Sequence, residues 1–291
     1  MATTTIDEVM ALPARATARR ERLRLLWRSP TFLAGAVILA FWVFCAIFGR
    51  LVEPHDPFQP DILNRLAPPS RANWFGTDSL GRDVLSRVIA GAQGILIVAP
   101  LATLLGTVLG TSIGLIAGFF RGIVDEVLMR VVDAFLAIPV VIVGLLGLVA
   151  LGPSRVTVII VIGIVFTPLI ARTVRAAVLA ERELEYVQAA RLRKENALYV
   201  MFVEILPNVL APVLVEFTVR LGYAIFVTAT LSFLGFGIQP PAPDWGLTIF
   251  QHYVYITGGI WWPAIFPALA IASLVVGVNL VSDGLAQSFE R

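Results

Sequence analysis

The chain has 291 residues, 58% of them hydrophobic and only 14% charged, with a formal net charge of +2. That composition is too apolar for a soluble domain and places the protein in a bilayer as one integral domain. Its arginines are dispersed without interleaved aromatic residues, which argues against a nucleic-acid partner and for a lipid one.

A helix rising about 1.5 Å per residue needs about 20 residues to cross about 30 Å of hydrocarbon. Charge-poor windows of that length fall at approximately residues 31–50, 94–120, 131–151, 156–171, 208–236 and 263–282. The runs are continuous rather than alternating, and in lipid every backbone group must be satisfied within its own segment. They therefore predict an all-α integral membrane protein with six transmembrane helices. Residues 1–30 read as an N-terminal tail, 31–93 as the first span and an outer loop, 94–285 as the core, and 286–291 as a C-terminal tail.

Lys and Arg accumulate on the cytoplasmic side of short loops. With the N-terminus inside, that side receives Arg15, Arg19, Arg20, Arg22, Arg24, Arg28, Arg121, Arg130, Arg172, Arg175, Arg182, Arg191, Arg193, Lys194 and Arg291. The outer side receives only Arg50, Arg65, Arg71, Arg82, Arg87 and Arg155, so both termini are expected inside. The first span has an Arg-rich flank like a signal peptide, but it is too long and lacks a small-residue cleavage site, so it reads as a retained anchor. Cys45, the single cysteine, implies no disulfide framework.

Residues 51–75 carry Pro54, Pro57, Pro60, Pro68 and Pro69 and predict an extended, semi-rigid outer loop. Thr77, Asp78, Arg82 and Asp83 follow without a nucleophile and base pair; they read as a capped segment in which Thr77 or Asp78 accepts bonds from the first helical amides. In the second span Gly106, Gly110, Gly114 and Gly118 share one helix face, which marks close packing against another helix, within the bundle rather than between subunits.

The stretch EYVQAARLRKENALYVMFVEILPN, residues 185–208, is charged and helix-prone yet lies between two spans. The cytoplasmic loop holding it, 172–207, far exceeds the roughly two to eight residues that usually join packed helices. With its paired Ala189 and Ala190 and a Leu206-Pro207-Asn208 stop, it reads as a surface for another protein. Inside the fifth span, Glu216 and Arg220 each cost roughly 2.5–3.5 kcal/mol at a helix centre. Their i, i+4 order permits a salt bridge, and intramembrane charges face a bundle interior or a watery path. Residues 237–262 combine Pro240, Pro241 and Pro243 with Trp245, Tyr253, Tyr255, Trp261 and Trp262, which read as anchors at the membrane interface.

Enzymatic readings fail on inventory. His55 and His252 sit in different outer loops and read as solvated side chains, and no HExxH or CxxC spacing supports a metal site. The one lysine, Lys194, follows no phosphate-cradling glycine loop, so no P-loop exists. If a solute moves against its gradient here, the energy comes from a partner.

Three stretches carry a family resemblance: FGTDSLGRDVLSRVIAGA at 75–92, EYVQAAR at 185–191 with ILPN at 205–208, and LSFLGFGIQPPAPDWG at 231–246. From about Trp74 to Leu285 the chain resembles the permease subunits of ATP-binding-cassette importers, in the dipeptide, oligopeptide and nickel group. The resemblance implies the type I importer permease fold in a bacterial inner membrane. It implies a homologous second permease subunit, two ATPases that bind ATP and magnesium, and an extracytoplasmic solute-binding protein, with no cofactor on this chain. It also implies that Glu185, Gln188, Ala189, Ala190, Arg191, Arg193, Lys194, Asn196 and Pro207 belong to a pair of short helices docked into a groove on an ATPase, the small alanines admitting a close backbone and Arg191 and Arg193 meeting acidic rims.

The family pattern has a glycine where Lys194 stands. A left-handed cap costs a lysine about 1–2 kcal/mol, so the turn is expected to shift towards Asn196 or the helix to continue through Lys194. Arg220 is expected to attract a passing peptide's carboxylate. Nickel chelates and glutathione-like peptides are alternative solutes. A secondary transporter would need its own coupling-ion site and repeated broken helices, and a non-transporting scaffold leaves the Glu216 and Arg220 charges unexplained.

Overall fold

A computed structural model of the protein describes residues 29–290, with side chains to Gln287. The arginine cluster from Arg15 to Arg28, most of the predicted N-terminal tail and Arg291 lie outside the described residues. The helices are α1 (Pro30–Val52), α2 (Val84–Phe120), α3 (Gly122–Leu136), α4 (Val140–Leu151), α5 (Arg155–Glu181), α6 (Glu185–Leu192), α7 (Ala197–Phe233), α8 (Trp245–His252) and α9 (Trp262–Glu290). Among the described residues no strand forms; one isolated bridge joins Thr77 to Asp83.

Among the described residues five helices are long and apolar enough to span: α1, α2, α5, α7 and α9. The third expected span, 131–151, is not a straight helix. Pro139 lacks an amide hydrogen and disfavours helix in the residue before it, so the chain breaks between α3 and α4, which meet at 89°. The 12 residues of α4 rise only about 18 Å, and the pair makes a sixth span only as a bent unit.

The core is α2 laid along α5. All four glycines of the α2 stripe face it: a Cβ at Gly106 would stand 2.8 Å from Gly163 O, at Gly110 2.7 Å from Ile170 Cβ, at Gly114 2.6 Å from Ala171 O and at Gly118 2.7 Å from Val178 Cγ1. The stripe is therefore an internal helix contact in which the two backbones nearly touch. On the other side α1 leans on α9, where a Cβ on Gly35 would lie 2.7 Å from Gly277 O and Trp42 Nε1 donates to Ser273 Oγ at 2.9 Å.

Two helices reach further than the hydropathy windows. α5 continues to Glu181, carrying Arg172 and Arg175 out to ion pairs with Asp133 and Asp125 of α3 at 2.5 Å each. α7 begins at Ala197 rather than near 208, so Leu206-Pro207-Asn208 does not stop a helix. Residues Val200–Ile205 form a π turn, Leu206 N–H bonds Met201 O, and the widened register admits Pro207 where an α turn would clash. The predicted loop 172–207 is thus mostly helix, with its turns near 182–184 and 193–196.

Candidate functional site: the cytoplasmic helical turn and the outer polar lock

α6 packs onto the bundle through Val187 and Ala190, both fully buried, while Glu185, Gln188, Ala189 and Arg191 face outward. Neighbouring residues on a helix point about 100° apart, so the alanine pair does not act as one small patch: Ala190 serves this chain's own packing and only Ala189 is open to a partner. Gln188 Nε2 donates to Glu183 O at 3.0 Å. Arg191 lies over the Phe119 ring at 5.1 Å, and Arg193 reaches Glu204 at 3.4 Å and Glu195 at 3.6 Å. Both arginines are therefore engaged within the chain, though exposed.

The turn after α6 does not shift to Asn196. Lys194 itself has φ +58°, with Lys194 N–H bonded to Arg191 O at 2.9 Å and Glu195 N–H to Ala190 O at 3.2 Å. These two bonds are the Schellman closure, in which the residue after the cap must be left-handed. The pull of α7 back to the bundle outweighs the local strain, and Asn196 instead caps α7, its Oδ1 accepting from Leu198 N–H at 3.1 Å. Leu192, 85% exposed, stands at the tip with Leu184 and Leu198 exposed around it.

This tip is braced to the bundle. Tyr186 Oη donates to Glu181 Oε1 at 2.6 Å and accepts from Asn208 Nδ2 at 3.0 Å, joining the ends of α5, α6 and α7. Burial, together with the Glu181 carboxylate, pushes the Tyr186 phenol up to about 12, so it keeps its proton at any physiological pH. Arg182 donates to Gly118 O at 3.1 Å and to Phe119 O, satisfying carbonyls left open at the C-terminus of α2. Arg121 pairs with Glu183 at 2.8 Å. These contacts tie α6 and the turn before it to α2, α5 and α7. Pro207 is exposed, in the first turn of α7 after the π segment.

In α7, Arg220 Nη2 lies 2.5 Å from Glu216 Oε1, and its guanidinium sits 5.7 Å from the Tyr223 ring centroid. Pro212, Tyr223 and Phe226 on the same side are exposed, so the half-buried ion pair borders a face of α7 that this chain leaves uncovered.

The outer end holds a polar cluster that sequence reasoning scattered. Neither Thr77 nor Asp78 caps α2; Asp83 does, its Oδ2 accepting from Ser86 N–H at 2.8 Å and Ser86 Oγ at 2.7 Å. Asp78, fully buried, folds the preceding turn by accepting from Leu80 N–H at 2.8 Å and Arg82 N–H at 3.0 Å, and pairs with Arg82 at 2.7 Å and Arg87 at 3.6 Å. Gly81, at φ +76°, is required there, because a Cβ would overlap Asp61 O. Thr77 Oγ1 instead donates to Asn64 O and accepts from Ala67 N–H at 2.8 Å, tying down the proline-rich loop.

Trp245 and Trp262 are core residues rather than interface anchors. Trp245 Nε1 donates to Val88 O at 2.8 Å and Trp262 Nε1 to Thr77 O at 3.1 Å, while Trp261 and Tyr253 remain exposed. Asp244 caps α8 through Leu247 N–H at 2.8 Å and accepts from Ser232 Oγ at 3.1 Å; burial pushes its carboxyl up. His252 is fully buried, not solvated, and burial pushes its imidazole down. The Trp245, Thr248, His252 spacing, one side of a helix, was the signal in the sequence for this buried face.

Sequence comparison identifies the class to which this bundle belongs. Residues 110–291 match the family model described as binding-protein-dependent transport system inner membrane component, and residues 17–69 match that of the N-terminal TM domain of oligopeptide transport permease C. The chain belongs to this family of multi-pass inner-membrane permeases, transport subunits without an enzymatic role. It is 38% identical to the dipeptide transport system permease protein DppC of Escherichia coli strain K12, over 100% of this chain and 98% of the relative. Against the probable D,D-dipeptide transport system permease protein DdpC of the same strain it is 34% identical, covering 96% and 94%. Against the di/tripeptide transport system permease protein DppC of Pseudomonas aeruginosa the identity is 38%, covering 89% and 87%.

Proposed function

We propose that this chain is the transmembrane permease subunit of an ATP-driven importer of short peptides. It would work with a homologous second permease, two ATPases carrying ATP and magnesium, and an extracytoplasmic binding protein. The observation that carries the reading is the cytoplasmic turn: an exposed apolar tip, Leu192 with Leu184 and Leu198, braced through Tyr186, Arg182 and Arg121 to three spanning helices. A loop serving only as a connection has no use for that bracing, whereas a lever needs it. The names of the relatives favour peptide over nickel chelates or glutathione-like solutes.

In this mechanism the ATPases close on the tip around Glu185, Gln188, Ala189, Arg191, Arg193 and Lys194, and α5, α6 and α7 move as a unit. The path opens at one end as it closes at the other. No covalent chemistry falls to this chain. Glu216 and Arg220 would lie on the path, where an opened Arg220 meets a peptide carboxylate; a lipid-facing ion pair would be far costlier. The second permease would complete the uncovered face of α7.

The test is uptake of labelled dipeptides by vesicles bearing the assembled complex. Uptake requiring ATP, abolished by Leu192→Glu and reduced by Arg220→Gln with assembly intact, supports the reading. Uptake driven by an ion gradient without ATP overturns it, and unchanged uptake by Arg220→Gln removes that residue from the path.

A further inference from the structure

We propose that His252 is a proton-sensitive latch that holds α8 against the outer turn and releases it as the external medium becomes mildly acidic. α8 lies outside the spanning helices, and both imidazole nitrogens are committed. Nδ1 is 2.7 Å from Thr248 O, one turn back in α8; Nε2 is 3.2 Å from Ser79 N and 3.0 Å from Ser79 Oγ in the outer turn. A carbonyl only accepts, so Nδ1 carries the proton. An amide N–H only donates, so Nε2 must be bare. One neutral tautomer satisfies both contacts.

A second proton, on Nε2, sets N–H against N–H and places a cation in a fully buried site. The surroundings offer it little help. From the outer turn come Asp78 and Arg82 and from α2 Arg87, while the Tyr255 ring, just past α8, lies 6.1 Å from the imidazole and Asp244 stands at the far end of α8. Asp78 is already claimed by Arg82 at 2.7 Å and Arg87 at 3.6 Å, so its charge is spoken for. Burial depresses the imidazole, which agrees with the geometry.

The direction follows from linkage. The latched imidazole titrates below the free value of about 6.5, so the latch is at full strength above that pH and weakens as pH falls towards the latched value. Across that window the unlatching constant rises by up to about tenfold per pH unit. Release frees the C-terminal end of α8, while Asp244 and the Trp245 bond to Val88 O still hold its start. The outer ends of α2, α7 and α9, which meet at this cluster, would then open more readily.

Hydrogen-exchange mass spectrometry of the chain in its membrane complex, in lipid nanodiscs at pH 7.5, 6.5 and 5.5, tests this without reference to any solute. Rates for peptides spanning 76–83 are corrected for the intrinsic pH dependence of exchange. Wild-type protein should show corrected exchange rising below pH 6.5, by up to about tenfold per unit. His252→Gln, whose amide oxygen reaches the Ser79 N–H but does not titrate, should be flat. His55→Gln, which removes the other histidine, should retain the rise. A flat wild-type profile, a persisting rise in His252→Gln, or loss of the rise in His55→Gln each overturns the latch. If His252→Gln fails to assemble, the wild-type and His55→Gln profiles still decide.

Discussion

Replacing Gly110 by alanine tests the α2 and α5 contact most directly. The new Cβ would lie 2.7 Å from Ile170 Cβ, 2.8 Å from Thr167 O and 2.9 Å from Ile170 Cγ2. Carbon atoms prefer roughly 3.5–4.0 Å, and two of these three neighbours are backbone or Cβ atoms that no rotamer change can move. The helices must part by nearly an ångström. Overpacking of this kind costs about 1–3 kcal/mol, and the better helix propensity of alanine returns about 1 kcal/mol. The expected net loss is therefore up to about 2 kcal/mol. At roughly 2–4 °C per kcal/mol for a chain of this size, the melting temperature should fall by several degrees. Gly114→Ala, whose Cβ would meet Ala171 O at 2.6 Å, should behave alike, and the double variant should lose less than the sum because one separation relieves both clashes. Gly258→Ala, with open space around it, is the control. The assay is thermal unfolding in nanodiscs followed by tryptophan fluorescence. A double variant indistinguishable from the control would refute the close contact of α2 with α5.

Two further outcomes concern the cytoplasmic turn. Lys194→Gly should strengthen it by roughly 1 kcal/mol, since the left-handed position strains lysine and not glycine; slower hydrogen exchange at Glu195 reports this, and faster exchange contradicts it. Tyr186→Phe removes the hydroxyl joining Glu181 and Asn208 and should cost roughly 1–2 kcal/mol. In the assembled complex it should lower peptide taken up per ATP hydrolysed, whereas an unchanged ratio would show that the brace does not transmit force.

Much of the architecture was legible because lipid is a severe solvent. A run such as residues 31–50 or 263–282 can do little except cross it, and the glycine spacing at 106, 110, 114 and 118 states a packing face before its partner is known. The departures arise where neighbours decide. Hydropathy counts residues without registering Pro139, so one predicted span became two helices at 89°. It also ends a helix where charges begin, although α5 and α7 continue into water because α3 and α6 cover them there.

The same division holds for the functional groups. Sequence alone determined that this is an all-α membrane protein, that a charged, helix-prone segment near 185–208 separates two apolar runs, and that Glu216 and Arg220 can pair, because each follows from composition or from spacing along one helix. Only the tertiary structure decided that Lys194 bears the left-handed turn, that Ala190 faces inward while Leu192 forms the tip, and that His252, Trp245, Trp262 and Asp78 meet in one buried lock. Those facts depend on contacts between residues as far apart as Ser79 and His252, and no local propensity encodes a contact across such a distance in the chain.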